Sequence, residues 1–338
     1  MKKLLSKCIN GETLSSIEAE ESMLQIMEGE ATASQIASFL SILRYRGETK
    51  EEIIGFTKAM KKQMISLEYN DEVIDTCGTG GDGISTFNIS TASALVVAAT
   101  GTKVAKHGNR AVSSKSGSAD VLELLGIPIQ TTPIEAKTAL DENHMSFLFA
   151  PLYHASMKNA VTPRKEIGFR TVFNLIGPLA NPANTKKQVI GVFSTDYAER
   201  MAEALRELGS EHVLLVTGRD GIDELSISTE TDIVELKDGE IKRYSIAPED
   251  VNLKKGCLEE IQVQTPIESA TLIQKIFTGD SNQSAKNIVA LNAGAALYVA
   301  GTAKTLIEGV QLALQALSSG KVYDHLQTIV REKEEKYA

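Results

Sequence analysis

From about residue 72 onward, short apolar runs alternate along the chain with segments of helical periodicity. Five of these runs have the character of strands: Val73–Asp75, Lys103–Lys106, Phe147–Ala150, Gln188–Phe193 and His212–Thr217. Strands that alternate with helices build a mainly parallel sheet with helices on its faces. Two later runs, Ile233–Leu236 and Ile241–Tyr244, flank Asp238-Gly239, a dipeptide typical of a tight hairpin turn. The chain is therefore predicted to contain an α/β domain whose sheet carries an antiparallel addition.

The first 66 residues show helical patterns instead. A helix is predicted over Ser16–Glu28, and capping-box sequences at Thr32–Gln35 and Thr49–Glu52 each precede apolar residues at helical spacing. Three short helices form only a small core, so we expect them to leave a face for a second domain or a partner subunit. Three more helices are predicted at about residues 284–300, 302–318 and 321–333. We place a helical domain at residues 1–70, which a few helices from about 160–185 could join, and the α/β domain at 71–338.

Composition restricts the class of protein. The chain has 338 residues, 42% hydrophobic and 23% charged, with a net charge of −9 that disfavours non-specific binding to nucleic acid. Three widely spaced cysteines fit a reducing cytoplasm better than a disulfide framework. The most apolar segment, Ile288–Ala300, contains Asn292 and falls short of the roughly 20 residues that a membrane helix needs. We expect a soluble cytoplasmic protein.

A glycine-rich turn follows the first strand, in the stretch D-T-C-G-T-G-G-D-G-I-S-T-F-N-I-S-T from Asp75 to Thr91. Residues Gly78–Gly83 satisfy the pattern G-x-G-x-x-G, which between a strand and a helix suggests dinucleotide binding. That function needs a carboxylate about 20 residues further on, to hold the ribose hydroxyls. No Asp or Glu occurs from Gly83 to Ala119, so the dinucleotide hypothesis is rejected.

The same carboxylate-free stretch is rich in cations and in hydroxyl and amide side chains. Its cations are Lys103, Lys106, His107, Arg110 and Lys115. Its short polar residues are Ser85, Thr86, Asn88, Ser90, Thr91, Asn109, Ser113, Ser114, Ser116 and Ser118. Glycine N–H groups, hydroxyls and cations without competing carboxylates are what polyphosphate recognition requires. We interpret the loop as a phosphate site.

Six motifs occur in a fixed order along the chain: D-T-C-G-T-G-G-D, N-I-S-T, V-A-K-H-G-N-R, S-S-K-S-G-S-A-D, F-N-L-I-G-P-L and D-E-L-S. With these motifs the chain resembles the anthranilate phosphoribosyltransferases over nearly its whole length. Enzymes of that family act in tryptophan biosynthesis and join anthranilate to the phosphoribosyl group of 5-phosphoribosyl 1-diphosphate (PRPP), releasing diphosphate. The resemblance implies a small helical domain plus a large α/β domain, the fold shared with pyrimidine nucleoside phosphorylases. It also implies a homodimer formed through the helical domains and two Mg²⁺ per subunit.

The resemblance also assigns residues. The implied PRPP contacts are Gly78, Gly80, Gly81, Asp82, Thr86, Asn88, Ile89, Ser90, Thr91, Lys106, His107, Gly108, Asn109, Arg110, Ala111, Val112, Ser113, Ser114 and Ser118. The implied anthranilate contacts are Gly78, Asn109, His154 and Arg164, and the implied magnesium ligands are Ser90, Asp223 and Glu224. Lys106 and Arg164 would act electrostatically, and no catalytic nucleophile or base is assigned. An aryl amine is neutral at pH 7 and needs no deprotonation before it attacks, so catalysis would rest on positioning and electrostatics.

Two other functions are compatible with such a fold. A pyrimidine nucleoside phosphorylase would take phosphate and a nucleoside, but the acidic pair Asp223-Glu224, with Asn109 and Arg164, argues against it. A non-catalytic nucleic-acid-binding relative would need a basic surface, which a net charge of −9 disfavours. We therefore expect small-molecule substrates and neither nucleic acid nor membrane as partners.

Overall fold

The computed structural model of this chain describes residues 1–111 and 115–337, with side chains as far as Arg331. Three of the predicted PRPP contacts, Val112, Ser113 and Ser114, lie outside the described residues.

Four helices form an N-terminal bundle: α1 (Lys2–Ile9), α2 (Ser16–Met27), α3 (Ala33–Arg46) and α4 (Lys50–Gln63). The capping boxes expected at Thr32 and Thr49 are both present and begin α3 and α4. Phe39 and Phe56, one from each of these helices, meet edge to face with 6.0 Å between ring centroids. The sequence predicted three helices here and missed α1, a two-turn helix that buries Leu4 and Cys8.

The bundle is larger than its own four helices. Helices α9 (Lys158–Ile167) and α10 (Val172–Ile176) pack onto it, and Ala160, Val172 and Phe173 belong to the same hydrophobic cluster as the bundle residues. That helices from about 160–185 join the helical domain stays a prediction. The boundary near residue 70 stays a prediction.

The α/β part is built on a seven-stranded sheet in the order β3-β2-β1-β4-β5-β6-β7. The strands are β1 (Ile74–Gly78), β2 (Val104–Gly108), β3 (Met145–Phe149), β4 (Lys187–Gly191), β5 (His212–Gly218), β6 (Thr231–Lys237) and β7 (Glu240–Ile246). Strands β1 to β5 are parallel, and β6 and β7 form the expected antiparallel hairpin. Asp238 and Gly239 turn that hairpin with φ of 51° and 81°.

Helices cover the sheet. They are α5 (Ile89–Ala99), α6 (Ser118–Leu124), α7 (Pro133–Asn143), α8 (Ala150–Tyr153), α11 (Thr195–Glu207), α12 (Pro266–Thr278), α13 (Gln283–Ala300), α14 (Leu306–Ser318) and α15 (Lys321–Tyr337). The three predicted C-terminal helices are α13 to α15. In the described part of the chain, none of the helices is both long and apolar enough to cross a membrane.

The chain order of the strands fixes where a ligand can bind. Connections from β1 lead outward to β2 and β3, whereas the chain then returns to place β4 on the other side of β1. In such sheets ligands bind beyond the carboxyl ends of the strands at this switch point. The glycine-rich loop leaves β1 at that position.

A buried polar cluster ties the antiparallel edge to α13, on the side of β5 away from the switch point. Glu235 accepts hydrogen bonds from His212 Nε2 (2.9 Å), Tyr298 Oη (2.8 Å) and Tyr244 Oη (3.1 Å). Burial alone would raise the pKa of the Glu235 carboxyl, but these three hydrogen bonds outweigh it and hold the pKa below its usual range.

This cluster predicts a pH-dependent contribution to stability. Because the pKa of Glu235 is lower in the folded state, its stabilisation is present above the unfolded value of about 4.5 and is lost as pH falls through the folded value. We expect Glu235→Gln to cost about 1–3 kcal/mol at pH 7, with the gap to wild type closing in acid. Thermal denaturation from pH 7 to 3.5 measures this. Glu240→Gln, on the exposed neighbouring strand, is the control, and a gap independent of pH would contradict the account.

Candidate functional site

The glycine-rich loop runs from Thr79 to Asn88, between β1 and α5. Gly80, Gly81 and Gly83 all have positive φ (66°, 75° and 79°), which other residues adopt only at a cost. The Thr79 N–H donates to the Gly191 carbonyl oxygen at 2.9 Å, so the loop is fastened to the end of β4. The loop therefore lies across the switch point and leads directly into the N-terminus of α5.

The acidic pair lies directly against this loop. The Gly80 N–H donates to Asp223 Oδ2 at 2.7 Å. A Cβ atom at Gly78 would lie 2.7 Å from the same oxygen, and one at Gly191 would lie 1.6 Å from the Asp223 carbonyl oxygen. Only glycine fits at both positions, because the loop after β5 passes immediately over the ends of β1 and β4.

Glu224 lies against the N-terminus of α5. It accepts a hydrogen bond from the Ser90 backbone N–H, in the first turn of that helix. Burial, and after it the carboxylate of Asp223, raise the pKa of Glu224 well above its usual range. Burial and then the carboxylate of Asp82 raise the pKa of Asp223 to about 7. The carboxyl groups of Asp82, Asp223 and Glu224 thus lie close together, and the nearby cations and hydrogen bonds do not offset their burial and mutual repulsion.

These groups fit a magnesium ion. Two adjacent carboxylates and the Ser90 hydroxyl supply hard oxygen ligands, and a bound cation would favour the ionised carboxylates. In the described part of the chain, no group of three or more His, Cys, Asp and Glu side chains could hold a metal alone. That agrees with the usual magnesium site, which takes one or two carboxylates and completes its shell with phosphate oxygens and water.

Lys106 is buried, with 2% of its surface exposed. Its Nζ donates to the Thr76 carbonyl oxygen at 2.6 Å and to Ser90 Oγ at 3.3 Å. Burial lowers the pKa of this ammonium, while the carboxylates of Asp75 and Glu224 partly restore it. The charge thus lies beneath Ser90 and the acidic pair, and its hydrogen bonds go to the protein.

Several predicted PRPP contacts lie at the end of the glycine-rich loop and in the first turn of α5. Asn88 is bound through its side chain by Ser116 Oγ (2.6 Å) and Ser269 Oγ (2.9 Å). Thr86 forms an isolated antiparallel bridge with Gln262. Ile89 and Thr91 are buried within the first turns of α5. Contacts with distant segments thus hold Thr86 and Asn88 in place, and Ile89 and Thr91 belong to the packed interior.

The segment after β2 is folded around Asp120. The Arg110 guanidinium pairs with Asp120 (2.8 Å) and Glu123 (3.0 Å), and the Ala111 N–H donates to Asp120 Oδ2 at 3.0 Å. Asn109 is exposed, and its carbonyl oxygen accepts from Ser118 Oγ at 3.2 Å. A Cβ atom at the residue before it, Gly108, would lie 2.3 Å from that same Oγ. The exposed Asn109 side chain accepts from the Arg110 N–H through its Oδ1 at 2.8 Å, whereas the Arg110 guanidinium is engaged by two carboxylates.

His107 and His154 meet at the end of β2, with their ring centroids 5.1 Å apart. Both are buried, and burial lowers the pKa of His107 to about 3 and that of His154 to about 4. Both imidazoles are therefore neutral at pH 7. The structure thus places His154, a predicted anthranilate contact, against His107 of the K-H-G-N-R segment.

Arg164, in α9, has a guanidinium 4.8 Å from the centroid of the Phe173 ring. Burial lowers its pKa to about 10. Among the ion pairs of the described residues, none includes Arg164. The next residue of α10, Asn174, donates to the Thr79 carbonyl oxygen at 3.1 Å. A poorly solvated cation without an acidic partner is thus linked to the glycine loop through α10.

Sequence reasoning missed Arg170. Its guanidinium lies 4.1 Å from the centroid of Phe193, just after β4, and within the electrostatic influence of Asp82 and Asp223. A signal was present, because Arg170 precedes the quoted motif F-N-L-I-G-P-L by three positions. Asn174 lies inside that motif, but its contact with Thr79 joins residues 95 positions apart, which no local pattern reveals.

Two family models match the chain. The helical bundle domain of the glycosyl transferase family matches residues 2–64, and its a/b domain matches residues 70–323. Together they cover both parts of the fold described above.

Individual relatives match over the full length. A Geobacillus sp. (strain WCH70) anthranilate phosphoribosyltransferase is 64% identical over 337 residues, covering 100% of this chain and 99% of the relative. One from Bacillus subtilis is 54% identical over 338 residues, covering 100% of both. Among solved structures, anthranilate phosphoribosyltransferase from Thermus thermophilus superposes with a TM-score of 0.90 at 42% identity, covering 97% of this chain and 98% of the other. The Saccharomyces cerevisiae enzyme, in complex with PRPP and Mg, gives 0.88 at 26% identity and covers 97% and 96%.

Proposed function

Because the chain belongs to the anthranilate phosphoribosyltransferase family of tryptophan biosynthesis, we propose that the cleft at the switch point binds PRPP with Mg²⁺ and that Arg164 binds anthranilate. The observation that carries the proposal is the junction of the glycine loop with the acidic pair, through the 2.7 Å hydrogen bond from Gly80 to Asp223. Backbone N–H groups beside oxygen ligands for a hard cation suit a magnesium-bound diphosphate. The complex of the yeast enzyme with PRPP and Mg supports this choice of ligands.

The reaction displaces diphosphate from the anomeric carbon of ribose by an aryl amine. Mg²⁺, when bound, would neutralise the negative charge that grows on the leaving diphosphate. The glycine loop and the N-terminus of α5 would hold the diphosphate, and Ser90, Asp223 and Glu224 would supply the metal ligands. Lys106 would act from beneath, by holding Ser90 through its 3.3 Å contact and by balancing the charge of Glu224. Two magnesium ions per subunit are part of this proposal.

The acceptor would be held by groups that match its chemistry. Anthranilate carries a carboxylate, and the guanidinium of Arg164 can donate to it in the bidentate geometry that lysine lacks. Asn109 is exposed, and its Nδ2 can donate to the substrate while its Oδ1 accepts from the Arg110 N–H at 2.8 Å. His107 and His154 are both neutral at pH 7 and would line the acceptor site without adding charge to it. No protein group needs to ionise the amine, so the chain's contribution is to position both substrates and keep their charges complementary.

Calorimetric titration of PRPP into the protein tests the donor site. We expect binding in the presence of Mg²⁺ that weakens strongly in EDTA. A nucleoside phosphorylase would instead bind inorganic phosphate and thymidine, so binding of those two without PRPP affinity would reject the proposal.

A homodimer through the helical domain is part of the proposal, supported by large apolar side chains that the bundle exposes. Ile9 (68%), Ile17 (77%) and Tyr45 (96%) are exposed on α1, α2 and α3. An interface core is depleted in charge and enriched in such side chains. The cytoplasmic location stays a prediction from composition.

Charged substitutions test that interface. We expect Ile17→Glu with Tyr45→Glu to convert a dimer into a monomer in sedimentation velocity, because burying unpaired carboxylates is costly. Ile134→Glu, at a side chain 78% exposed in the α/β part, is the matched control and should leave the dimer intact. A dimer that survives the double substitution would place the interface elsewhere.

A further inference from the structure

Asn292 is a polar residue in the middle of the most apolar helix of the chain. It lies in α13 with 2% of its surface exposed, between Leu291 and Ala293, which are buried as well. A buried amide in such surroundings is destabilising unless it is hydrogen-bonded. Its hydrogen-bond partners therefore explain why this helix can carry an asparagine.

The Asn292 side chain holds the residue that follows the acidic pair. Its Oδ1 accepts from the Leu225 N–H at 3.0 Å, and its Nδ2 donates to the Leu225 carbonyl oxygen at 3.0 Å. The same Nδ2 donates to the Ile288 carbonyl oxygen, one helical turn away, at 2.9 Å. Both backbone polar groups of Leu225 are thus satisfied by one side chain 67 positions away, where the loop after β5 has no strand partner.

The helix that carries this clamp cannot move easily. A Cβ atom at Gly294 would lie 2.5 Å from the Val310 nitrogen, and one at Gly309 would lie 2.2 Å from the Gly294 carbonyl oxygen. The backbones of α13 and α14 are therefore in direct contact. α13 also packs against α5, the helix whose first turn contains Ser90. One rigid helix thus supports both sides of the proposed magnesium site.

The loop itself is braced from within as well. Asp220 accepts hydrogen bonds from Ser226 Oγ (2.6 Å) and Ser228 Oγ (2.5 Å). These contacts fix the shape of the loop, but they do not attach it to the rest of the protein. Gly78 and Gly191 only leave space for Asp223. Within the described part of the chain, the side chain of Asn292 holds both backbone polar groups of Leu225, the residue next to Glu224, and Thr231 Oγ1 of β6 accepts from the Ser226 N–H at 2.8 Å.

We propose that Asn292 is a positioning residue for magnesium, which sets the place of the Asp223-Glu224 carboxylates by clamping the backbone of Leu225. The inference rests on the proposed function, in which that pair binds the metal. Magnesium requires nearly ideal octahedral geometry, so a displaced backbone lowers its affinity. Residues that orient metal ligands typically change metal affinity by about 10–100-fold when they are replaced.

Mn²⁺ binding to the full-length protein with PRPP and without anthranilate tests the proposal. The electron paramagnetic resonance signal of free Mn²⁺, read against a titration of PRPP alone because its diphosphate also binds Mn²⁺, reports the affinity without depending on turnover. We expect Asn292→Ala, and Asn292→Leu, which refills the volume, to weaken Mn²⁺ binding by about 10–100-fold. At saturating Mg²⁺ both variants should regain activity, with KM for anthranilate within about twofold of wild type.

Asn287→Ala is the matched control. Asn287 is also a buried asparagine of α13, but it is bound by Gln283 and to the Lys254 carbonyl oxygen, away from the acidic pair. A purely structural role for Asn292 would lower the melting temperature and leave Mn²⁺ affinity at the wild-type value in either folded variant, and that result would overturn the proposal.

Asp223→Asn with Glu224→Gln is measured beside them. If that pair does not weaken Mn²⁺ binding, the metal assignment fails. If the double variant weakens Mn²⁺ binding and the Asn292 variants leave it unchanged, the metal assignment stands and only the role of Asn292 is rejected.

Discussion

Replacing Asp223 and Glu224 together by Asn and Gln is expected to reduce kcat/KM by about 100-fold or more. The loss follows because a preorganised group that stabilises developing charge is worth about 10²–10³ in rate. The residual activity should respond to Mg²⁺ only at much higher concentration. Steady-state kinetics across a magnesium titration measure both effects.

Stability should change in the opposite direction. Burial raises the pKa of both carboxyls above their usual values, so each ionised group opposes folding at pH 8, and neutral amides remove that repulsion. We expect the melting temperature of the double variant to equal or exceed that of wild type. Sites selected for function commonly show this exchange of stability for activity.

A control with the same change in charge is available on the same connection. Glu230 and Asp232 pair with Arg219 at the surface. Glu230→Gln with Asp232→Asn should leave the magnesium dependence unaltered, because exposed pairs contribute little. If the Asp223 and Glu224 variant keeps the wild-type response to Mg²⁺, the metal assignment is wrong.

Arg164→Ala is expected to raise KM for anthranilate by about 10–150-fold and to leave KM for PRPP nearly unchanged. The magnitude is that of one charged hydrogen-bonding contact, about 1.5–3 kcal/mol. The Arg164 guanidinium is suited to this contact because burial removes water from it and no carboxylate of the described chain pairs with it. The contact of the guanidinium with the Phe173 ring fixes the direction of its N–H donors.

Two further variants separate charge from geometry. Arg164→Lys should recover only part of the affinity, because an ammonium cannot bind a carboxylate through two parallel hydrogen bonds. Lys165→Ala removes the next, exposed cation of α9 and should change neither KM. Equal increases in the KM of both substrates for Arg164→Ala would count against a specific contact with the acceptor.

Local signals made much of the fold predictable. The capping boxes at Thr32 and Thr49 and the Asp238-Gly239 turn are read from neighbouring residues, and the structure has each of them. Helix α12 was missed although Thr265 caps it and Pro266 occupies its first turn, a signal that was present and not used.

The candidate site was less accessible to sequence reasoning, because its contacts join distant segments. Lys106 was expected to reach phosphate, yet its side chain turns inward to Thr76 and Ser90, a direction that depends on the pleat of β2 and the packing of α5. Arg110 is paired with Asp120, the first acidic residue beyond the carboxylate-free stretch. Asn292 was visible only as an interruption of an apolar run, and its meaning appears once Leu225 lies beside it.

The most direct test is the loss of anthranilate fluorescence on mixing the protein with PRPP, with and without Mg²⁺. The account predicts consumption of anthranilate that requires both PRPP and Mg²⁺ and stops when EDTA is added. A folded protein that leaves anthranilate unconsumed at saturating PRPP and Mg²⁺ would contradict it.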